Sequence, residues 1–489
     1  MKKLVSILYG MFFVVSLIAE ETPNVTEEKK VETIHTLKLG GKELRYKATA
    51  GQIHLKDDNG KVKATFFYVG YTKEGLKDPS TRPITFCFNG GPGSSSVWLH
   101  MGAFGPKRIV LDDLGRPVAP YRTEENEYTL LDQTDLVFID PVSTGYSAAA
   151  KSEEAKQFHG FDEDVKSVGE LIRTYVTRHD RWTSPKFLIG VSYGTTRAAG
   201  LADHLHENAN MDFNGLVLIS LALDFQTLMF HAGNDLPCIT FLPTYAAAAW
   251  YHQKISHKEY PTLEPLLKEV ETFAYGPYAS ALLKGSKISK QEEQEILKKL
   301  SLYTGLDEIY IQRSNFRIPA LRFTKELLRN SEKTIGRFDS RIVGLDCDPL
   351  AQHMDYDPSF EALFGPFTSV LNHYLYSDLG WKEDQEYKIL TNVHPWDCGK
   401  EGKYLNVATD LKEVMCKNPN LKVFVANGQY DLATPYVTAQ YTLEHMDLNP
   451  EIQDHITLHL YPAGHTLYLD KSSMVQFRQD LARFYKESP

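Results

Sequence analysis

The chain has 489 residues, 42% of them hydrophobic and 24% charged, and carries a formal net charge of −10. That apolar fraction is ample for a large core, and the length fits one core with a long insertion as well as two to four domains. An acidic balance without a basic stripe argues against nucleic acid or an anionic membrane as partner.

In chain order, Met1-Lys2-Lys3 followed by an apolar run from Leu4 to Ala19 reads as a secretory signal over 1–19. Leu17 is not the ideal small residue before the break, so the cleavage point stays open. An uncleaved anchor is the alternative, although the run is short for a spanning helix. The compact Lys-Lys start suggests a bacterial export route, and the expected location is the periplasm or the medium. Residues 20–80 read as a charged mature start leading into antiparallel strands, with Gly40-Gly41 as a turn. From Pro83 to Ser220 strands and helices alternate. The apolar runs Pro83–Phe88, Leu136–Asp140, Lys186–Ile189 and Gly215–Ser220 are strands, and Phe161–Arg178 is an amphipathic helix. The alternation predicts a mainly parallel sheet, with 81–221 as its first part. Residues 222–416 change character: strand runs are few, aromatics are dense, and Tyr245–Trp250 and Ser289–Leu300 look helical. This predicts a helical cap inserted into the sheet. Residues 417–489 complete the sheet with strands at Leu421–Ala426 and His455–Tyr461, then a closing helix, Met474–Tyr485. Five cysteines, at 87, 238, 347, 398 and 416, allow at most two disulfides, with Cys87 in a buried strand as the expected free thiol. Their spacing matches no zinc site.

Chemistry concentrates at Gly190-Val191-Ser192-Tyr193-Gly194, between a strand and a helix-like run from Thr195 to about Asn208. Gly-x-Ser-x-Gly in that setting resembles the nucleophile elbow of α/β-hydrolases, in which a sharp bend lifts the serine hydroxyl above the sheet edge. A serine needs a base, and the base needs an acid to hold it. In that fold they follow the serine in the order acid, then histidine, each on a loop after a strand. Asp431, in Asn427–Pro435, and His465, in Pro462–Leu467, fit. Of the other histidines, His455 and His459 read as structural or surface residues, and His204 and His206 as exposed or packed on the helix after the elbow. Asn89-Gly90-Gly91-Pro92-Gly93 follows a strand directly. A loop there supplies half of an oxyanion hole, so the expected donors are the N–H groups of Gly91 and Tyr193, each typically worth about 2.7–4 kcal/mol in the transition state. A phosphate loop is the rival, but Gly-Lys-Ser/Thr is absent.

Several separate stretches resemble the serine carboxypeptidase family: Asn89-Gly90-Gly91-Pro92-Gly93-Ser94-Ser95, Asp140-Pro141-Val142-Ser143-Thr144-Gly145-Tyr146-Ser147, and Gly464-His465. The resemblance implies an α/β-hydrolase fold and a serine exopeptidase acting on peptide C-termini through Ser192, Asp431 and His465, with no metal or other cofactor. It implies that Asn89 and Gly90 bind the substrate carboxylate. Two positions depart from the family pattern. Val191 and Ala103 stand where the family has a pair of acids that share a proton and help to bind that carboxylate. Their joint loss is self-consistent, since one acid buried alone is costly. It predicts weakened carboxylate recognition and a pH optimum moved from acid toward neutral. An esterase or acyltransferase using the same triad on a small ester is the alternative, and an inactive binding protein is the alternative from another class.

Overall fold

The computed structural model describes residues 27–399 and 403–488, so the expected signal over 1–19 lies outside the described residues. The N-terminal antiparallel run folds as β1 (Lys30–Leu39), β2 (Lys42–Lys56) and β3 (Val62–Lys73). Six further strands follow: β4 (Ile84–Phe88), β5 (Asp135–Asp140), β6 (Lys186–Val191), β7 (Gly215–Ile219), β8 (Lys422–Gly428) and β9 (Ile456–Tyr461). They form one sheet in the order β1-β2-β3-β5-β4-β6-β7-β8-β9, with a two-residue strand, Ala148–Ala149, beside β3. β3 meets β5 antiparallel, and every pairing from β5 to β9 is parallel.

Parallel neighbours need crossovers, and crossovers place helices on both faces, so each strand must be apolar on both sides. The principal helices are α1 (Phe161–Arg178), α2 (Tyr193–Ala209), α3 (Leu236–Tyr251), α4 (Leu263–Phe273), α5 (Lys290–Thr304), α6 (Pro358–His373), α7 (Ala408–Lys417), α8 (Tyr436–Glu444) and α9 (Lys471–Glu487). β7 shows the consequence at residue level. Leu216 and Leu218 pack in a core with Val165 and Leu171 of α1, Leu201 of α2 and Leu411 of α7. Val217 and Ile219 belong to the opposite core, with Phe367 of α6 and Phe477 and Leu481 of α9. α1 carries Asp162, Glu163 and Asp164 in its first turn and Arg178 in its last, charges that oppose the helix dipole at both ends.

The 222–416 interval divides. α3, α4 and α5 build a third core of their own, which includes Phe241, Tyr245, Val270, Leu300 and Phe323. α6 and α7 instead return to the two faces of the sheet. All five cysteines are unpaired, and Cys87 is buried in β4. No helix among the described residues is long and apolar enough to cross a membrane.

The register aligns the carboxyl ends of the parallel strands. Phe88 lies opposite Gly190, Val191 opposite Ile219, Ile219 opposite Ala426, and Gly428 opposite Tyr461. The loops after β4, β6, β7, β8 and β9 therefore emerge along one edge, where open α/β sheets bind ligands.

Candidate active site

Ser192 occupies the turn between β6 and α2 with φ 59° and ψ −127°, a conformation that costs a non-glycine residue about 1–3 kcal/mol. Close packing enforces it. A Cβ on Gly190 would lie 2.1 Å from the Gly194 carbonyl oxygen, so the chain can fold back on itself only without a side chain there. The Ser192 N–H donates to the Ile219 carbonyl at 2.9 Å, and its own carbonyl accepts from Thr195 N–H at 2.8 Å.

His465 and Asp431 meet at the same edge. His465 Nδ1 lies 2.7 Å from Asp431 Oδ2, with the two side chains 3% and 0% exposed. The carboxylate is fully engaged. Oδ1 accepts the N–H groups of Ala433 (2.7 Å) and Thr434 (3.0 Å), and Oδ2 also accepts the Thr434 hydroxyl (2.9 Å). The histidine backbone is pinned as well: its N–H donates to the Phe338 carbonyl at 2.6 Å, and its carbonyl accepts the Ser220 hydroxyl at 2.7 Å. The Phe338 ring lies against the imidazole, centroids 4.5 Å apart. With Nδ1 committed to Asp431, Nε2 is the nitrogen left for chemistry. No hydrogen bond joins Ser192 Oγ to His465 Nε2 among the described residues, yet both side chains border one cavity.

The glycine loop packs against the elbow. A Cβ on Gly90 would lie 2.5 Å from the Tyr193 amide nitrogen, so this loop and the start of α2 come together only around glycine. As the first residue of α2, Tyr193 has an N–H with no intrahelical acceptor. Gly91, at φ 109°, borders the same cavity. Asn89 Oδ1 accepts Leu99 N–H at 3.1 Å, which fixes the amide beside the cavity that Asn89 lines. Behind the loop, buried Arg197 donates to the Asn89 carbonyl and to Asp164 Oδ2, both at 2.7 Å.

The cavity has a volume of about 530 Å³ and is lined by six of the seven residues expected at the site, Ser192, His465, Asn89, Gly90, Gly91 and Tyr193, with the seventh, Asp431, bonded to His465 behind the wall. Val191 also lines it, whereas Ala103 is buried in the core next to α6 and α9. No aspartate or glutamate is among the lining residues. His459 instead stacks on Phe424 of β8, and His206 pairs with Asp212, both away from the cavity. Sequence reasoning missed Ser220, Thr434, Phe338 and Arg337. Ser220 was reachable, as the residue after a parallel strand at the site edge. Arg337 and Phe338 lie in a segment with no motif.

This sheet order, the serine elbow and the acid–histidine pair after the last two strands define an α/β-hydrolase. The comparisons with known proteins narrow the class. The chain belongs to the serine carboxypeptidase family, whose model matches residues 40–457. It is 30% identical over 125 residues to the pheromone-processing carboxypeptidase KEX1 of Saccharomyces cerevisiae, a stretch covering 24% of this chain and 16% of that protein. It is 27% identical over 161 residues to carboxypeptidase Y homolog A of Ajellomyces capsulatus, covering 32% of this chain and 27% of that protein. The matched stretches thus span about a quarter or less of these relatives. Among solved structures, the prohormone-processing carboxypeptidase KEX1(delta)P from Saccharomyces cerevisiae superposes with a TM-score of 0.58 at 18% identity, over 90% of this chain and 91% of that one.

Proposed function

We propose that the protein is an exported serine carboxypeptidase that removes C-terminal residues from peptides through an acyl-enzyme. The observation that carries this reading is the 2.7 Å contact of buried His465 with buried Asp431, at the same cavity as the strained Ser192 elbow. Asp431 holds the imidazole in the tautomer that presents a bare Nε2, and stabilises the imidazolium that forms. Substrate binding brings Ser192 Oγ and Nε2 into contact, since such hydrogen bonds are often long in free enzymes and tighten in the complex. Ser192 then attacks the scissile carbonyl and passes its proton to His465. The N–H groups of Tyr193 and Gly91 receive the oxyanion. His465 returns the proton to the leaving amine, and water repeats the sequence to release the acyl group. These steps call on no metal or cofactor. Asn89 and Gly90 face the substrate carboxylate from the glycine loop, without the acids replaced by Val191 and Ala103. The helical unit built on α3, α4 and α5 serves as a cap on the sheet. The basic start and the apolar run to Ala19 support delivery to the periplasm or the medium.

The test is product analysis by mass spectrometry on a peptide mixture, with Ser192→Ala as control. Stepwise loss of single C-terminal residues by the wild type, and none by the variant, is the expected result. Internal cleavage, or turnover of esters alone, overturns it in favour of an endopeptidase or of the esterase reading that apolar Val191 would suit.

A further inference from the structure

We propose that Arg337 is a specificity residue that binds a carboxylate on the leaving-group side of the substrate. The inference rests on the reading of Ser192 and His465 given above, and adds to it a residue and a substrate class. Arg337 borders the cavity, where it is the one residue whose charge is fixed, because the other cationic candidates are histidines. Its guanidinium forms no ion pair among the described residues. Its neighbour Arg341, by contrast, is committed to Asp339 and Asp470. The Arg337 side chain instead lies over the Phe338 ring, 5.0 Å from the centroid.

The backbone at Arg337 is rigidly placed. Its N–H donates to Asp357 Oδ1 at 3.2 Å, and its carbonyl accepts Leu432 N–H at 3.0 Å, one residue beyond Asp431. Asp357 also caps α6. The guanidinium is therefore carried on a strut between α6 and the loop that holds the acid. Phe338 connects it to the chemistry: its ring packs on the His465 imidazole, and on Phe360 at 4.4 Å, which in turn packs on Trp98 at 5.4 Å. His465 must deliver a proton to the departing amine, so the wall beside it faces the leaving group. A half-buried cation that enters no ion pair among the described residues, in a cavity lined by no carboxylate, is a site complementary to an anion. The leaving group offers two sources: the terminal α-carboxylate or an acidic side chain.

The experiment compares kcat/KM for N-blocked Phe-Leu, its amide, and N-blocked Phe-Glu amide, in the wild type, Arg337→Met and Arg337→Lys. The wild type is expected to prefer at least one carboxylate-bearing peptide over Phe-Leu amide. Arg337→Met should cut that preference by about 10- to 150-fold, as for a hydrogen bond to a charged group, and Arg337→Lys should restore part of it. Loss on Phe-Leu assigns the α-carboxylate, and loss on Phe-Glu amide assigns the side chain. An unchanged preference in Arg337→Met, or an equal fall on all three peptides in both variants, overturns the proposal. Calorimetric binding of the two charged peptides to Ser192→Ala, with and without Arg337→Met, separates this from the peptidase reading. Equal binding overturns the role of Arg337 whether or not peptides are cleaved. Weaker binding upholds it even where the wild type cleaves none of them, a result that fails the peptidase reading alone.

Discussion

Asp140 shows how much one buried carboxyl can organise. It ends β5 and is fully enclosed, with Oδ1 accepting the N–H and hydroxyl of Ser96 at 2.8 Å each and Oδ2 accepting the Tyr387 hydroxyl at 2.8 Å. Burial pushes its pKa from 3.8 up to about 6, against the opposing pull of these donors. The folded state therefore keeps a proton that the unfolded chain gives up at lower pH. The stabilisation from that proton is full below pH 3.8 and is lost as pH rises through 6, a change of about 3 kcal/mol. Asp140→Asn carries no such charge. Its melting temperature relative to the wild type is expected to climb between pH 4 and pH 7, measured by thermal melts at several pH values. A difference that stays flat across that window would sink the account.

Among the elements, the contact of α1 with α2 reaches the site. Arg197 of α2 is 1% exposed, pairs with Asp164 of α1, and also holds the Asn89 carbonyl, with the Phe88 and Tyr193 rings 5.3 Å from its guanidinium. Two roles are thus carried by one side chain, and they can be separated. Arg197→Met leaves Asp164 buried without its partner, at a cost of about 3–5 kcal/mol. Removing both charges, as in Asp164→Leu with Arg197→Met, should recover most of that stability, because an apolar pair often replaces a buried ion pair without loss. Activity should not recover with it: the glycine loop has still lost its tether, and kcat/KM is expected to remain about tenfold down, on the scale of one hydrogen bond to a charged group. Melts and peptide kinetics on both variants check this, and parallel recovery of stability and activity refutes it. None of this coupling was legible in the sequence, since Asp164, Arg197 and Asn89 belong to three separate elements. The elements themselves were. α1 spans the run that its apolar spacing marks out, and β6, β7 and β8 match their apolar runs to within two residues. α6 and α7 were not placed, because a helix packed on the sheet and a helix packed in the cap present the same amphipathic pattern.

For the molecule as a whole, the same logic separates what local sequence could convey from what the fold had to supply. The meeting of Ser192, Asp431 and His465 at one sheet edge was readable because each follows an apolar strand, where glycines and chain order constrain the choice. Arg337 was unreadable: its significance comes from a cavity formed by segments on both sides of the insertion. That cavity also bears on how the protein responds to pH. Val191 borders the wall, Ala103 is buried in the core, no carboxyl lines the wall, and the imidazoles there belong to His465 and His394. The rate on an uncharged blocked dipeptide amide should therefore show no maximum in the acid range. Two controls make the profile interpretable. His394→Gln should leave the profile unchanged, and melts at each pH exclude unfolding as the cause of any loss of rate. The Asp140 proton strengthens the second control, because this group favours the folded state at the acid end of the same window. A profile that peaks in the acid range would place a titrating carboxyl at the site after all, and would require a donor that neither Val191 nor Ala103 can provide.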